Sequence, residues 1–158
     1  RQLDLAVCFD TDAHPGLAQM PIGHTELVHV SSGEERRGEP VPLGALAGRP
    51  LITLDVTDRA GALLELALAQ AGVTLQSEIQ VQTHYVACAL AHAGCGDTVV
   101  DALTAGALLR PGMRMRRLSP AVSVPVCVLH HASVPLRETD LAFIESLRTA
   151  CSTLATGG

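Results

Sequence analysis

Aromatic side chains are almost missing from this chain of 158 residues: there is no tryptophan, and Phe9, Tyr85 and Phe143 are its only phenyl or phenol rings. A core here has to be built from Leu, Val, Ile and Ala, and base-stacking platforms for single-stranded nucleic acid are excluded for want of rings. Basic charge is short as well. Eleven basic residues against sixteen acidic ones leave a formal charge of −5, which gives the chain no means of neutralising a run of phosphates. The one basic cluster, Arg110, Arg114, Arg116 and Arg117, is interleaved with Met113, Met115 and Leu118 and reads as an exposed strand edge. No apolar run approaches the ~18 residues that would span a bilayer. No signal peptide opens the chain, which starts at Arg1 and runs at once into a strand-like segment, so it reads as a piece of a longer protein.

Catalytic machinery is also lacking. There is no G-x-S-x-G elbow, no cysteine at a helix start that would activate it, and Gly94-Cys95-Gly96 has neither the length nor the lysine of a phosphate loop. His84, Cys88, His92 and Cys95 fall on one helical face with soft ligand types suited to zinc. Each turn rises ~5.4 Å, however, so four ligands spread over three turns cannot converge on one ion. No metal, cofactor or catalytic set is expected. The five cysteines sit in apolar segments without a framework spacing, which points to reduced thiols and a cytoplasmic setting.

What is present is a succession of short apolar runs and amphipathic stretches. Strands are expected at Leu3–Phe9, Gly23–Val30, Pro50–Leu54, Val73–Val81, Thr98–Val100 and Val122–Leu129, the last broken by Pro125, which suggests an edge or a bend. Ser31–Gly38 reads as a polar turn and Leu43–Leu46 as a single helical turn. Asp58 caps a helix whose apolar face is Leu63, Leu64, Ala67, Leu68 and Ala71, ended by Gly72; Thr83 caps a second from His84 to Ala93. A small-residue helix follows at Leu103–Leu109, and a last one at Leu136–Leu154 carries the stripe Leu141, Ile144, Leu147, Cys151 and Leu154. Strands alternating with helices imply an α/β fold with largely parallel pairing.

Six motifs in order resemble one family. The run Leu3-Asp4-Leu5-Ala6-Val7 is followed by Glu26-Leu27-Val28-His29-Val30, then by Leu43, Leu46, Gly48, Pro50 and Ile52 in an "L..L.G.P.I" passage, then by Leu64, Leu68 and Gly72. The stretch from Ala89 to Ala105, ALAHAGCGDTVVDALTA, is the most specific, and Pro125, Ser133, Phe143 and Leu147 complete the series. Over essentially the whole chain this is similar to the effector domain of LysR-type bacterial transcription regulators, with Cys95, Asp97 and Ala102 departing from the usual residues. A carboxylate at Asp97, entering a buried strand, needs a partner.

The resemblance implies a two-lobed fold like that of periplasmic binding proteins (type 2), with the second lobe complete over residues 31–120 and the first, residues 1–30 and 121–158, partial. It implies a small metabolite bound between two lobes, an amino acid, opine or small carboxylate by the "DALTA" variant. It further implies self-association as dimer or tetramer, and DNA contact only through a winged helix-turn-helix domain absent from this chain. A periplasmic solute-binding protein, or more remotely a small α/β enzyme, is the alternative. In such folds ligands sit at the carboxyl ends of strands and against helix N-termini. Thr53 is the position where the family places an effector contact, though a Thr satisfying its own turn is the plainer reading. Asp55 either pairs with a ligand amine or is a solvated loop carboxylate. Gln82, Thr83 and His84 open a helix: Thr83 is either a simple cap or an effector contact, and His84 either senses a ligand acid or covers the helix end.

Overall fold

The computed structural model describes residues 3–9, 12, 14–33 and 38–156, with side chains through 153. The turn expected at Ser31–Gly38 falls partly outside these residues, as does the side chain of Leu154 in the last helical stripe. The chain forms two compact units: one from the segments up to Thr25 and from Val124 onward, the other running from Glu26 to Ser123.

The first unit contains strand β1 (Leu5–Phe9), the first part of β2 (Leu17–Ser32), nearly all of β8 (Ser123–His131) and helix α4 (Glu138–Thr156). β8 lies between β1 and β2 in the strand order, antiparallel to β1. Val124, Val126 and Val128 are buried on one face of β8, and Cys127 is buried on the other. Pro125 therefore stands in an interior strand rather than an edge. β2 begins six residues earlier than the sequence suggested and carries Pro21. At the head of α4, the Asp140 carboxylate accepts the Arg137 backbone N–H at 2.8 Å and grips the guanidinium through Nε at 3.0 Å and Nη2 at 2.9 Å. Of the expected stripe on this helix, Ile144 is buried but Leu141 is half exposed; Asp140 takes the covered place one turn before Ile144.

The second unit is a mixed sheet rather than a largely parallel one. β4 (Leu51–Leu54) is parallel to both β5 (Ile79–Val81) and β6 (Asp97–Asp101). β2 continues here between β6 and β7 (Met113–Ser119), antiparallel to each, and a two-residue β3 (Val41–Pro42) pairs with the end of β7. A 3-10 turn at Leu43–Leu46 and helices α1 (Arg59–Gln70), α2 (His84–His92) and α3 (Ala102–Leu108) complete it. Leu51, Ile52, Val99 and Val100 of the sheet and Leu64, Leu68, Ala87, Ala91 and Ala105 of the helices are buried. The apolar core of this unit is built from aliphatic side chains and Cys88, with no phenyl or phenol ring among its buried residues. The strand expected over Val73–Val81 shrinks to its last three residues. The Val73 N–H is taken by Leu68 O at 2.9 Å in closing α1, and β4 offers partners only to 79–81.

Asp97 finds the partners its position demanded. Its Oδ2 faces Nε2 of His29, which is fully buried in β2, at 3.0 Å, and accepts from Arg49 Nη1 at 3.1 Å. The His29 hydrogen bond, aided by Arg49 and only partly opposed by burial, holds the Asp97 carboxyl below the usual carboxylate range. Among the described residues, Nδ1 of His29 is buried without a hydrogen-bond partner. The tautomer with its proton on Nε2 fits best, since it leaves a bare lone pair rather than an orphaned N–H. Asp97→Ala removes the acceptor from a fully buried imidazole, and about 1–3 kcal/mol of stability is expected to go with it. Asp97→Asn, which keeps a carbonyl oxygen at the same place, should cost clearly less. Urea unfolding of the two variants decides; equal losses would mean that the oxygen facing His29 is not what matters.

Candidate functional site

Short connections after three parallel strands bring three helix starts to one edge of the second unit. The carboxyl ends of β6, β4 and β5 lie side by side in that order, and each leads directly into a helix. Helix N-termini carry unsatisfied N–H groups and a partial positive charge. What caps each of them therefore decides the chemistry of this edge.

α1 and α3 are capped by carboxylates. Asp58 Oδ1 accepts from Ala60 N at 2.9 Å and Gly61 N at 3.2 Å, and Asp101 Oδ1 accepts from Thr104 N at 2.8 Å. α1 can start close against the end of β4 only because residue 61 is glycine: a Cβ there would stand 2.5 Å from the carbonyl oxygen of Asp55. α2 differs. Its cap is the neutral hydroxyl of Thr83, which accepts from Val86 N at 3.3 Å.

His84, the first residue of α2, turns inward and is buried between the other two caps. Its Nε2 lies 3.3 Å from Asp58 Oδ1, and its Nδ1 lies 2.8 Å from Asp101 Oδ2 and 3.1 Å from the Asp101 backbone N. One nitrogen cannot donate to the carboxylate and accept from the amide at once. Burial disfavours the charged ring, but the hydrogen bond and charge of Asp101, with the charge of Asp58, outweigh it and raise the pKa above the ordinary 6.5. Protonated, the ring donates Nδ1–H to Asp101 Oδ2 and Nε2–H to Asp58; once Nδ1 gives up its proton, it accepts from the Asp101 amide. The Asp101 carboxyl in turn, nearly inaccessible, is pushed up by burial and brought below its ordinary value by His84 and Thr104 together. This Asp58–His84–Asp101 bridge ties three helix starts together. The reading of residues identified Asp58 as a cap but not Asp101, nor the link through His84. The available signal was the repetition of cap residues directly after three strand-like runs.

Thr53, half buried at the end of β4, has its hydroxyl 2.9 Å from Ser77 Oγ. Ser77 has one proton to give and two carbonyls within reach, Leu51 O at 3.0 Å and Ile79 O at 2.9 Å. With that proton committed, Thr53 is the donor to Ser77, and the remaining lone pairs of Thr53 are acceptors. Ser77 was hidden from the sequence reading by the strand expected over it. Asp55 accepts from Thr57 N at 2.8 Å and Thr57 Oγ1 at 2.7 Å, and these two bonds, the backbone one first, hold its carboxyl below the usual range. The Asp55 N–H donates to Val81 O at 2.9 Å, which sets Asp55 beside the exposed Gln82 and Thr83. Thr53, Asp55, Gln82 and Thr83 thus share one strand edge, with His84 beneath them. Cys88, one turn into α2, is a packed thiol: burial, with the nearby Asp101 charge, pushes it up to about 11.

Among the described residues no helix is long and apolar enough to cross a membrane, and no group of three His, Cys, Asp or Glu is arranged to hold a metal ion. The family model described as "LysR substrate binding domain" matches residues 1–152. The HTH-type transcriptional regulator DgcR of a Pseudoalteromonas species is 31% identical over 146 residues, covering 91% of this chain and 50% of that protein, so the chain spans about half the length of this curated relative. The CcmR regulatory domain of Synechocystis PCC6803, solved in complex with 2-PG, superposes with a TM-score of 0.76 at 13% identity, over 95% of this chain and 74% of that one. The effector binding domain of QuiR, solved in complex with shikimate, gives 0.76 at 15% identity, over 96% and 73%. The α/β architecture is that of LysR effector-binding domains, a periplasmic-binding-protein-like fold of type 2. With the match running over nearly its whole length, this chain belongs to the LysR substrate-binding domain family.

Proposed function

We propose that the chain is the effector-sensing domain of a LysR-type transcriptional regulator, that it works in the cytoplasm without catalysing a reaction, and that its effector is a small amino acid or related carboxylate. The observation that carries the ligand class is the pairing of unlike partners at one strand edge. The start of α2 is neutral at its cap, and the partial positive charge of a helix N-terminus suits a carboxylate. Beside it the ionised Asp55, held low by Thr57, suits an ammonium group. Thr53 contributes hydroxyl lone pairs and Gln82 an amide. On this reading His84 does not meet the ligand; it positions the helix start that does.

The known company supports the class: DgcR is a transcriptional regulator, and the QuiR effector domain was solved with shikimate, itself a carboxylate. The family match favours regulator over transport protein or enzyme. DNA is then contacted by a winged helix-turn-helix domain outside this chain, and the regulator acts as a dimer or tetramer. Signalling requires the effector to bind one conformation more tightly than another.

A thermal-shift screen against amino acids, opines and small organic acids tests the proposal. A ligand at ~100 times its dissociation constant adds ~2.7 kcal/mol, which raises the midpoint by roughly 5–10 °C for a chain of this size. Thr83→Ala or Asp55→Asn should abolish the shift while leaving the fold intact. A hit that survives both substitutions would move the site elsewhere, and silence across the panel would dismiss the amino-acid class.

A further inference from the structure

Cys8 of β1 and Cys127 of β8 are separated by most of the chain, yet they stand directly opposite one another in the antiparallel pairing of these strands. Directly opposed residues project from the same face, with Cα atoms about 4.5 or 5.5 Å apart according to the kind of pair they form. Both spacings fall inside the ~4.4–6.8 Å range that a disulfide bridges. The other cysteines have no such counterpart: Cys88 lies in α2, Cys95 in the turn after it and Cys151 in α4. All five carry thiols in the structure. The opposed pair is also unequal in access. Cys127 is buried, while Cys8 is only half covered, and the Cys127 sulfur accepts from the amide of the exposed Gln19 at 3.2 Å.

We propose that Cys8 and Cys127 form a reversible dithiol–disulfide pair, a redox modification site within the first unit that takes low-molecular-weight disulfides of the glutathione type as oxidant. The thiolate of the more accessible Cys8 attacks one sulfur of the external disulfide. This expels one thiolate and leaves a mixed disulfide on Cys8. The Cys127 thiolate then attacks the Cys8 sulfur and expels the second external thiolate. Two protein thiols lose two electrons, one external disulfide becomes two thiols, and the two protons leave with them. The product ties β1 covalently to β8 in the register the fold already imposes, so little movement is needed to close it. Because the link closes a long loop, it restrains the unfolded chain strongly.

The test is to incubate the 158-residue chain with oxidised glutathione, alkylate the remaining thiols with iodoacetamide and map the peptides without reduction. The expected result is one linked peptide joining Cys8 to Cys127, lost on treatment with dithiothreitol, and an unfolding midpoint several degrees higher in the oxidised protein. Cys8→Ser should remove the link and the added stability, whereas Cys95→Ser should leave both. Separate alkylation or glutathionylation of Cys8 and Cys127 with no linked peptide would overturn the proposal, as would a link that maps to Cys95 or Cys151. The wild-type map decides even if the Cys8→Ser chain folds poorly.

Discussion

Replacing His84 by alanine is expected to cost about 3–5 kcal/mol of folding stability, the usual penalty for leaving a buried charge without its partner. The charge in question is the Asp101 carboxylate, 1% exposed, whose Oδ2 meets the His84 ring at 2.8 Å. The loss is large because the ring joins three elements at once: α2, on which it stands, and the caps of α1 and α3. At roughly 2–4 °C per kcal/mol for a chain of this length, the midpoint should fall by about 6–20 °C. A loss under 1 kcal/mol in urea unfolding would show that the three helix starts hold together without the imidazole.

The same residue makes the stability depend on pH in a definite direction. Its pKa is raised in the folded chain above 6.5, so the folded state binds the proton more tightly than the unfolded one. That contribution is complete below about pH 6.5 and is lost as pH rises through the folded value. The gap in stability between wild type and His84→Ala should therefore narrow on going from pH 6 upward through neutrality. A gap that widens over this interval would contradict the protonated bridge.

The second large effect is expected at Gly96. It lies at φ +150, and a Cβ there would run into the carbonyl oxygen of Pro50, a backbone atom that cannot swing aside. The neighbouring Asp97 N–H donates to that same oxygen at 3.0 Å, and Leu51 pairs with Asp97 in the β4–β6 ladder. Any side chain at residue 96 must therefore push β6 away from β4 where the two strands begin. Overpacking together with the backbone strain puts Gly96→Ala at about 3 kcal/mol or more. Gly94, two residues earlier, is the control. It also has a positive φ, +79, but open space where a Cβ would go, so Gly94→Ala should cost only the ~1–2 kcal/mol of a left-handed alanine. Comparable losses at the two positions would mean that conformation, not the approach to Pro50, is what residue 96 supplies.

Much of this architecture was legible in the order of residues, because it rests on local rules. The caps at Asp58 and Thr83, the glycine ending α1, the β4 and β6 runs and the 3-10 turn at Leu43–Leu46 each depend on a few neighbours, and each forms where those neighbours place it. The family, too, was contained in the order of six short motifs. Failure came where a partner far along the chain decides. Alternation over Val73–Val81 satisfied the pattern of a strand, but β4 pairs in the ladder with only three of those residues. Leu141 has the spacing of a core residue on α4 and still faces solvent, since what a helix face meets is fixed by packing rather than by period.

The site divides along the same line. Which residues could take part was set by sequence: hydroxyls and carboxylates at strand ends, and a histidine opening a helix. Which partners they meet was decided only by the tertiary structure. A histidine beside a cap looks the same on paper whether it faces a ligand or the interior. Folding puts the His84 ring between two carboxylates that lie 26 residues before it and 17 after it. Asp97 and His29, and likewise Cys8 and Cys127, are distant in the chain, and only the pairing of strands makes them neighbours. Local propensity is a property of adjacent residues; burial, ion pairing and register belong to contacts that do not exist until the chain has closed on itself.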